Sequence, residues 1–215
     1  MRKFLMELIG TFFLVSVIGF SVLEPGAGAF APFAIGFILM AMIYAGYPVS
    51  GAHYNPAVTV AVYIRGKCAH SDIPIYIAAQ LIGSVSAALT VKSLAAGLIA
   101  SPMALNLSQA LAAEIIFTFA LVFVVLNVAT VKQTEGNSYY GLAIALTVIA
   151  SVFAVGKISG SVLNPAVAVG VTLMGVSSLQ HIWIYFFGNF CGGVLAAVVF
   201  KWLHPEEFVN MEKSG

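Results

Sequence analysis

The sequence predicts an all-α integral membrane protein with six transmembrane helices, two re-entrant half-helices and inverted three-helix repeats. Three observations support this prediction. Hydrophobic residues make up 61% of the 215-residue chain and charged residues only 8%, whereas a soluble domain carries about 25% charge. Several long segments contain no charged residue at all. The tripeptide Asn-Pro-Ala occurs twice, each time inside apolar sequence.

Six apolar segments are long enough to cross a bilayer. A span needs about 20 mostly apolar residues, and a charge at its middle costs about 2.5–3.5 kcal/mol on insertion scales. Accordingly, residues 25–64, 93–113, 136–156 and 158–200 contain no Asp, Glu, Lys or Arg. The predicted spans are residues 4–23, 29–48, 72–92, 109–130, 140–157 and 180–202.

The chain contains an internal repeat. The motifs Asn55-Pro56-Ala57 and Asn164-Pro165-Ala166 lie 109 residues apart, and the flanking Ser, Gly and Val positions keep that offset. Glu7 and Glu114 open a second pair of similar segments, 107 residues apart. We therefore predict two repeats, 1–107 and 108–215, within one structural domain. Each repeat has three spans and one Asn-Pro-Ala segment. Because three is odd, the second repeat is inverted in the membrane.

Each Asn-Pro pair predicts the start of a short helix, because Asn caps a helix and Pro suits its first position. The helix that follows Asn55 is expected to end near Ile64. That length is about 15 Å, or half of the ~30 Å hydrocarbon core. A second half-helix from Asn164 is expected to meet it near the midplane. Non-helical backbone at that depth must be buried in protein or line water, so this meeting point indicates a pore.

The meeting of two helix N-termini predicts exclusion of cations. Each N-terminus carries about half an elementary charge. Their sum would oppose a unit cation ~4 Å away by about 4 kcal/mol at an effective dielectric of ~20. We expect Asn55 and Asn164 to donate amide N–H groups into the pore while their side-chain carbonyls are tied back. Water held there donates outward to both sides, which interrupts a proton-conducting chain.

These motifs make the chain resemble the aquaporin (major intrinsic protein) family. The resemblance implies one pore per subunit, a homotetramer, and passive, bidirectional flow of water or small neutral solutes. It also implies that Glu7 and Glu114 hold the loops before the half-helices, and that His53 supports its loop by packing and hydrogen bonding. The matching segments are Glu7 with Thr11 and Phe12, Ser50-Gly51-x-His53-x-Asn55-Pro56-Ala57-Val58, Ala79-Gln80-x-x-Gly83, Glu114 with Thr118 and Phe119, Gly141-Leu142-Ala143, Asn164-Pro165-Ala166 and Gly192-Gly193.

One departure from the family pattern concerns the selectivity filter. Most members place Arg directly after the second Asn-Pro-Ala, where this chain has Val167. By spacing, the other filter positions correspond to Ile35, Val152 and Ser161. The chain is thus expected to be an atypical, bacterial-type member with a wider, apolar filter that loses a cation and its five donors. Such a filter favours solutes beyond water, such as glycerol, hydrogen peroxide or ammonia.

Lys157 leaves two interpretations open. It could replace the missing arginine's charge near the outer mouth, or its side chain could extend to the membrane interface. Most cations fall on one face if the six spans alternate, which predicts cytoplasmic termini and a cell (inner) membrane location. They are Arg2, Lys3, Arg65, Lys67, Lys132, Lys201 and Lys213.

Other classes of function are less well supported. The net charge of +1 offers no basic patch for nucleic acid. No His or Cys pair stands at metal-ligand spacing, so no metal or cofactor is expected, and no nucleophile and base mark an enzyme. A broken-helix secondary transporter remains the alternative, although it would need charged ligands at the midplane. Tyr185 is expected to pack against lipid or a neighbouring subunit.

Overall fold

The computed structural model describes residues 1–97 and 99–208, and six helices in this part of the chain are long and apolar enough to cross a membrane. They confirm the six predicted spans within a few residues. Two nine-residue helices complete the set. In chain order the helices are α1 Arg2–Val22, α2 Ala31–Ser50, α3 Pro56–Ile64, α4 Asp72–Leu94, α5 Leu107–Ala129, α6 Tyr140–Ser159, α7 Pro165–Leu173 and α8 Ile182–Leu203. Because α5 begins at Leu107, it starts one residue before the expected repeat boundary.

The half-helices α3 and α7 link the two repeats. Each is about 14 Å long, and each packs chiefly against a span of the other repeat, α3 against α8 and α7 against α4. Ser84 of α4 donates a hydrogen bond to the Ala166 carbonyl of α7 (2.6 Å). Neither repeat therefore buries its own half-helix alone, and the two repeats form one packed unit.

Small residues allow the spans to pack closely. A Cβ atom at Gly83 of α4 would lie 2.5 Å from the Leu8 carbonyl oxygen of α1. One at Gly192 of α8 would collide with the Ile115 carbonyl of α5. Such close backbone approach is how membrane helices gain packing energy where lipid is as apolar as the protein. The two contacts occupy corresponding places in the two repeats.

The antiparallel pair α2 and α6 joins the repeats along their length. Near one end the Phe33 and Phe153 rings are in edge contact, with centroids 5.3 Å apart. Near the other end the Tyr44 hydroxyl donates to the Ser138 carbonyl (3.0 Å). We call the second end, where α1 begins and α8 ends, the inner end, and the opposite end the outer end.

The outward face of the spans is apolar. Exposed aromatic and aliphatic side chains occur on all six of them. A soluble protein does not expose so continuous an apolar surface, so the chain is an integral, multi-pass membrane protein. Examples are Phe13, Phe37, Ile82, Ile116, Leu146 and Phe187.

The segment after α8 folds back onto the inner end. The Arg65 side chain is only 1% exposed and forms an ion pair with Glu207. Its guanidinium lies 5.3 Å from the ring centroid of Phe200 and 5.0 Å from that of Phe208. Partial burial raises the pKa of Glu207, but the Lys132 N–H and Arg65 outweigh burial and leave that pKa below its ordinary value of 4.5. We call this set of contacts the tail clamp. Glu212 and Lys213 lie outside the described residues.

We expect Glu207→Gln to lower the melting temperature of the purified protein at pH 7. The change leaves the buried Arg65 charge without its counter-ion, at a cost of about 2 kcal/mol or ~4–8 °C. Glu206→Gln is the matched control, since Glu206 is 55% exposed and, within the described residues, pairs only with His204. Because the pKa of Glu207 is lowered by folding, its contribution is complete above pH 4.5 and is lost as the pH falls through the lower, folded-state value.

The difference between wild type and Glu207→Gln should therefore shrink in acid. Equal melting temperatures of the two proteins at pH 7 would contradict the tail clamp.

Candidate functional site

The two loops that precede the half-helices share an unusual backbone. Ala52, Tyr54, Ser161 and Leu163 have φ values of 53°, 49°, 51° and 52°. The left-handed region costs a non-glycine residue about 1–2 kcal/mol. Four such residues persist only where the surroundings hold them. The loops are therefore held in place by contacts from elsewhere in the chain.

The Glu7 carboxylate holds the first loop. Its Oε1 accepts hydrogen bonds from the Ser50 hydroxyl (2.7 Å) and the His53 N–H (2.9 Å). Its Oε2 accepts from the Tyr54 N–H (2.7 Å) and the Gln80 amide (2.8 Å). Glu7 is fully buried, and these four donors satisfy a carboxylate that could not otherwise lie there.

The Glu114 carboxylate holds the second loop in the same way. It accepts from the Ser159 hydroxyl (2.7 Å) and from the N–H groups of Val162 (2.9 Å) and Leu163 (2.8 Å). The Asn189 amide donates the fourth hydrogen bond (2.7 Å). Glu114 is also fully buried. Both glutamates singled out in the sequence thus bond directly to loop N–H groups.

His53 is held within its loop by several neighbours. Its backbone N–H donates a hydrogen bond to the Glu7 carboxylate. Its Nδ1 lies 3.1 Å from the Thr59 hydroxyl, and its ring faces that of Tyr76 at 4.8 Å. The His53 imidazole therefore links the loop to α3, and the His53 backbone is held by Glu7.

Two tyrosines hold the ends of α2 and α6. The Tyr76 hydroxyl donates to the Ser50 carbonyl (2.6 Å), and the Tyr185 hydroxyl donates to the Ser159 carbonyl (3.0 Å). Tyr185 is only 2% exposed. The expectation that it packs against lipid or another subunit is therefore wrong, because its hydroxyl finds a partner inside the protein.

Asn55 and Asn164 cap the two half-helices. The Asn55 Oδ1 accepts from the Ala57 N–H, and the Asn164 Oδ1 accepts from the Ala166 N–H, both at 2.9 Å. Pro56 and Pro165 occupy the first helical positions, where a missing N–H leaves nothing unsatisfied. The side-chain carbonyls are tied back as the sequence predicted.

The two asparagines also bond across to the opposite loop. The Asn55 Nδ2 donates to the Leu163 carbonyl (2.9 Å), and the Asn164 Nδ2 donates to the Tyr54 carbonyl (2.8 Å). Each NH₂ group carries two hydrogens, so one is used between the loops and one remains for the cavity. We call these two hydrogen bonds the asparagine crossing. Both asparagines line a large internal cavity.

The cavity has a volume of about 690 Å³. Along α2 it is lined from Ala31 to Tyr47, a rise of about 24 Å, and on α6 from Ile144 to Ser159. A second cavity of about 970 Å³ opens at the inner end and shares Tyr47 and other walls with the first. The two cavities therefore lie next to each other along the spans, and both asparagines of the crossing line the first of them.

Comparison with known proteins identifies this architecture. A family model described as Major intrinsic protein matches residues 1–200. The chain belongs to the major intrinsic protein family. Putative aquaporin NIP4-1 of Arabidopsis thaliana is 37% identical, over 93% of this chain and 74% of that protein. Glycerol uptake facilitator protein-like 6 of Lactiplantibacillus plantarum is 33% identical, over 96% of this chain and 100% of that protein.

Solved structures support the fold. An aquaglyceroporin from Plasmodium falciparum aligns with a TM-score of 0.81 at 22% identity, covering 96% of this chain and 98% of that one. An FNT family ion channel aligns at 0.55 and 17% identity, covering 93% and 86%. At these identities the likeness concerns the fold alone. Membership of the major intrinsic protein family makes this chain a channel for water and small solutes rather than an enzyme.

In this major intrinsic protein, the four positions that spacing assigned to the filter all line the cavity with the asparagines. Their side chains are three aliphatic groups and one hydroxyl. The Ser161 hydroxyl is buried and has no hydrogen-bond partner among the described residues. Lys157 borders the same cavity with an exposed side chain. We call Ile35, Val152, Ser161 and Val167 the outer ring.

The roles of several important residues were not predicted from the sequence. The carbonyls of Tyr54 and Leu163 accept the crossing bonds, but any residue type supplies a carbonyl. Gln80 belongs to a segment that matches the family, but its hydrogen bond to Glu7 and that of Asn189 to Glu114 were not predicted. Within the described residues, no group of three or more His, Cys, Asp or Glu could hold a metal ion.

We expect Glu114→Gln to destabilise the channel strongly. The change replaces one acceptor oxygen with an NH₂ group that faces buried donors, which costs roughly 3 kcal/mol. Glu135→Gln is the control because Glu135 is exposed. Thermal melting of both variants in detergent, followed by water permeability in liposomes, measures the effect. A melting temperature for Glu114→Gln equal to that of the control would show that the second loop does not depend on this carboxylate.

Proposed function

We propose that this channel carries passive, bidirectional flow of water and of small neutral solutes beyond water, with glycerol, hydrogen peroxide and ammonia as candidates. The observation that carries the proposal is the outer ring. It surrounds the same cavity as the asparagine crossing and contains Val167 where most relatives of this type are expected to have Arg. The hydroxyl of Ser161, its one polar side chain, has no hydrogen-bond partner in the part of the chain that the structure describes.

The chemistry of the outer ring favours solutes less polar than water. A guanidinium would supply five donors and a fixed charge, and Val167 supplies neither. Without an arginine side chain the passage is wider and has aliphatic walls. Such walls hold water weakly, so the passage can empty of water by dewetting. A solute with a carbon skeleton contacts such walls at lower cost. The names of the Lactiplantibacillus plantarum and Plasmodium falciparum proteins are consistent with glycerol as such a solute.

Exclusion of protons and ions is assigned to the asparagine crossing. With no arginine in the outer ring, the helix N-termini of α3 and α7 supply the positive potential. The amide hydrogens of Asn55 and Asn164 that the crossing leaves unused can orient a water so that it donates outward. The carboxylates of Glu7 and Glu114 lie behind the loops and bond to their N–H groups, so they offer no negative site in the path.

We place both termini in the cytoplasm of a cell (inner) membrane. The inner cavity is lined by Lys3, Arg65, Lys67 and Lys132, and an excess of cations marks the cytoplasmic side. The apolar outer surface suits either lipid or further subunits, and the family resemblance favours a homotetramer. Water and neutral solutes are the proposed permeants, and membrane lipid surrounds the assembly.

A secondary transporter remains the second candidate, since inverted repeats and broken helices also suit alternating access. It would need coupling-ion ligands at the meeting point. Among the described residues, no Asp or Glu lines the cavity that contains Asn55 and Asn164. Saturable, gradient-driven uptake would favour the transporter over a channel.

We expect proteoliposomes containing the channel to take up glycerol faster than empty liposomes, as measured by stopped-flow light scattering with water run in parallel. Val167→Arg should lower glycerol permeability about tenfold or more, since a barrier raised by about 1.4 kcal/mol lowers the rate tenfold. Val167→Met is the control, because it adds length without charge.

Wild-type glycerol permeability equal to that of empty liposomes would contradict the proposed solute range. If Val167→Arg and Val167→Met behave alike, the outer ring is not the filter.

A further inference from the structure

A second ring of apolar side chains surrounds the same cavity. Its members come from α2, the first loop, α3 and α6, and all four line the cavity. We call Ile43, Ala52, Val58 and Ile144 the inner ring. Their exposed fractions are 3%, 9%, 4% and 7%, respectively.

The inner ring is the repeat-related copy of the outer ring. Each of its members lies 109 residues from one member of the outer ring. The replacement of arginine by Val167 makes the two rings almost identical in composition. The pairs are Ile35 with Ile144, Ile43 with Val152, Ala52 with Ser161 and Val58 with Val167.

The two rings lie in series on opposite sides of the asparagine crossing. Ile43 follows Ile35 by eight residues on α2, and Ile144 precedes Val152 by eight on α6, a separation of about 12 Å along each helix. The half-helices α3 and α7 run from the crossing towards opposite ends. A solute must therefore pass both rings.

The rings differ by one methylene group, at Ile43 and Val152, and by one hydroxyl, at Ala52 and Ser161. Ala52 and Ser161 have matching backbones, with φ values of 53° and 51°. Their N–H groups donate to the equivalent hydroxyls of Ser50 (3.1 Å) and Ser159 (3.0 Å). The Ser161 hydroxyl has no partner within the described residues and lines the cavity. At the inner ring, the corresponding side chain is a methyl group.

We propose that the inner ring is a second selectivity filter and that it limits the permeation of hydroxylated solutes. This inference rests on the proposed function. A solute gives up hydrogen bonds to water at each ring, regains one from Ser161 at the outer ring, and regains none from a side chain at the inner ring. The step without compensation is the slower one.

The test moves the hydroxyl between the rings. Three variants, Ala52→Ser, Ser161→Ala and the double variant, are compared with wild type for glycerol and water permeability in proteoliposomes. One hydrogen bond corresponds to about a three- to tenfold change in the rate over one ring. Because the two barriers act in series, Ala52→Ser should raise glycerol permeability about two- to fivefold, and Ser161→Ala should lower it by less than about twofold.

The double variant decides the question, since it should match wild type when both rings act. If the outer ring alone filters, Ala52→Ser has no effect and the double variant equals Ser161→Ala, which overturns the inference while leaving the proposed function intact. If wild type itself passes no glycerol, the proposed function fails first. Melting temperatures check that each of these small substitutions leaves the fold unchanged.

Discussion

Non-helical backbone is tolerated at the middle of a membrane only where it is buried in protein or lines a water-filled cavity. The loops before α3 and α7 meet this constraint through two buried carboxylates and two crossing amides. Glu7 and Glu114 accept from the loop N–H groups. The asparagine crossing satisfies the carbonyls of Tyr54 and Leu163. The placement of the half-helices, and therefore the path between them, depends on these bonds.

The same constraint explains why neither buried carboxylate faces the solute at the asparagine crossing. Each carboxylate is buried behind its loop with four donors around it, so its charge serves the backbone and not the solute. Among the described residues that line the cavity with the asparagines there is no Asp or Glu, and Lys157 borders it. Because the outer ring itself contains no cation, we propose that the asparagine crossing discriminates charge and that the two rings discriminate size and polarity.

The sequence could predict features that depend on composition and local spacing. Long apolar segments with few charges located the six spans, and Asn-Pro located the starts of α3 and α7. The 109-residue offset supplied the inverted repeat. The family resemblance, applied by spacing, also led to Ile35, Val152, Ser161 and Val167, which do line one cavity. These features are local, or they repeat, so a single chain contains their signal.

Contacts between distant segments were not predictable. Nothing in the residue types distinguishes the carbonyl that Asn55 reaches, and Arg65 looked like one more cytoplasmic cation before Phe200, Phe208 and Glu207 enclosed it. The prediction for Tyr185 was wrong because the sequence of an apolar span does not distinguish a lipid-facing tyrosine from a buried one. The inner ring was not predicted, because aliphatic residues are not distinctive in a sequence rich in them. The 109-residue offset nevertheless relates each of its members to a member of the outer ring.

The most direct test of the central claim is proton flux. Proteoliposomes loaded with a pH-sensitive dye, with the membrane potential clamped by potassium and valinomycin, would be given an acid pulse while water flux is recorded from the same preparation. The asparagine crossing predicts that water moves faster than in empty liposomes while protons enter no faster. Proton entry that rises in proportion to water flow would contradict it, since a continuous water wire would then pass the crossing.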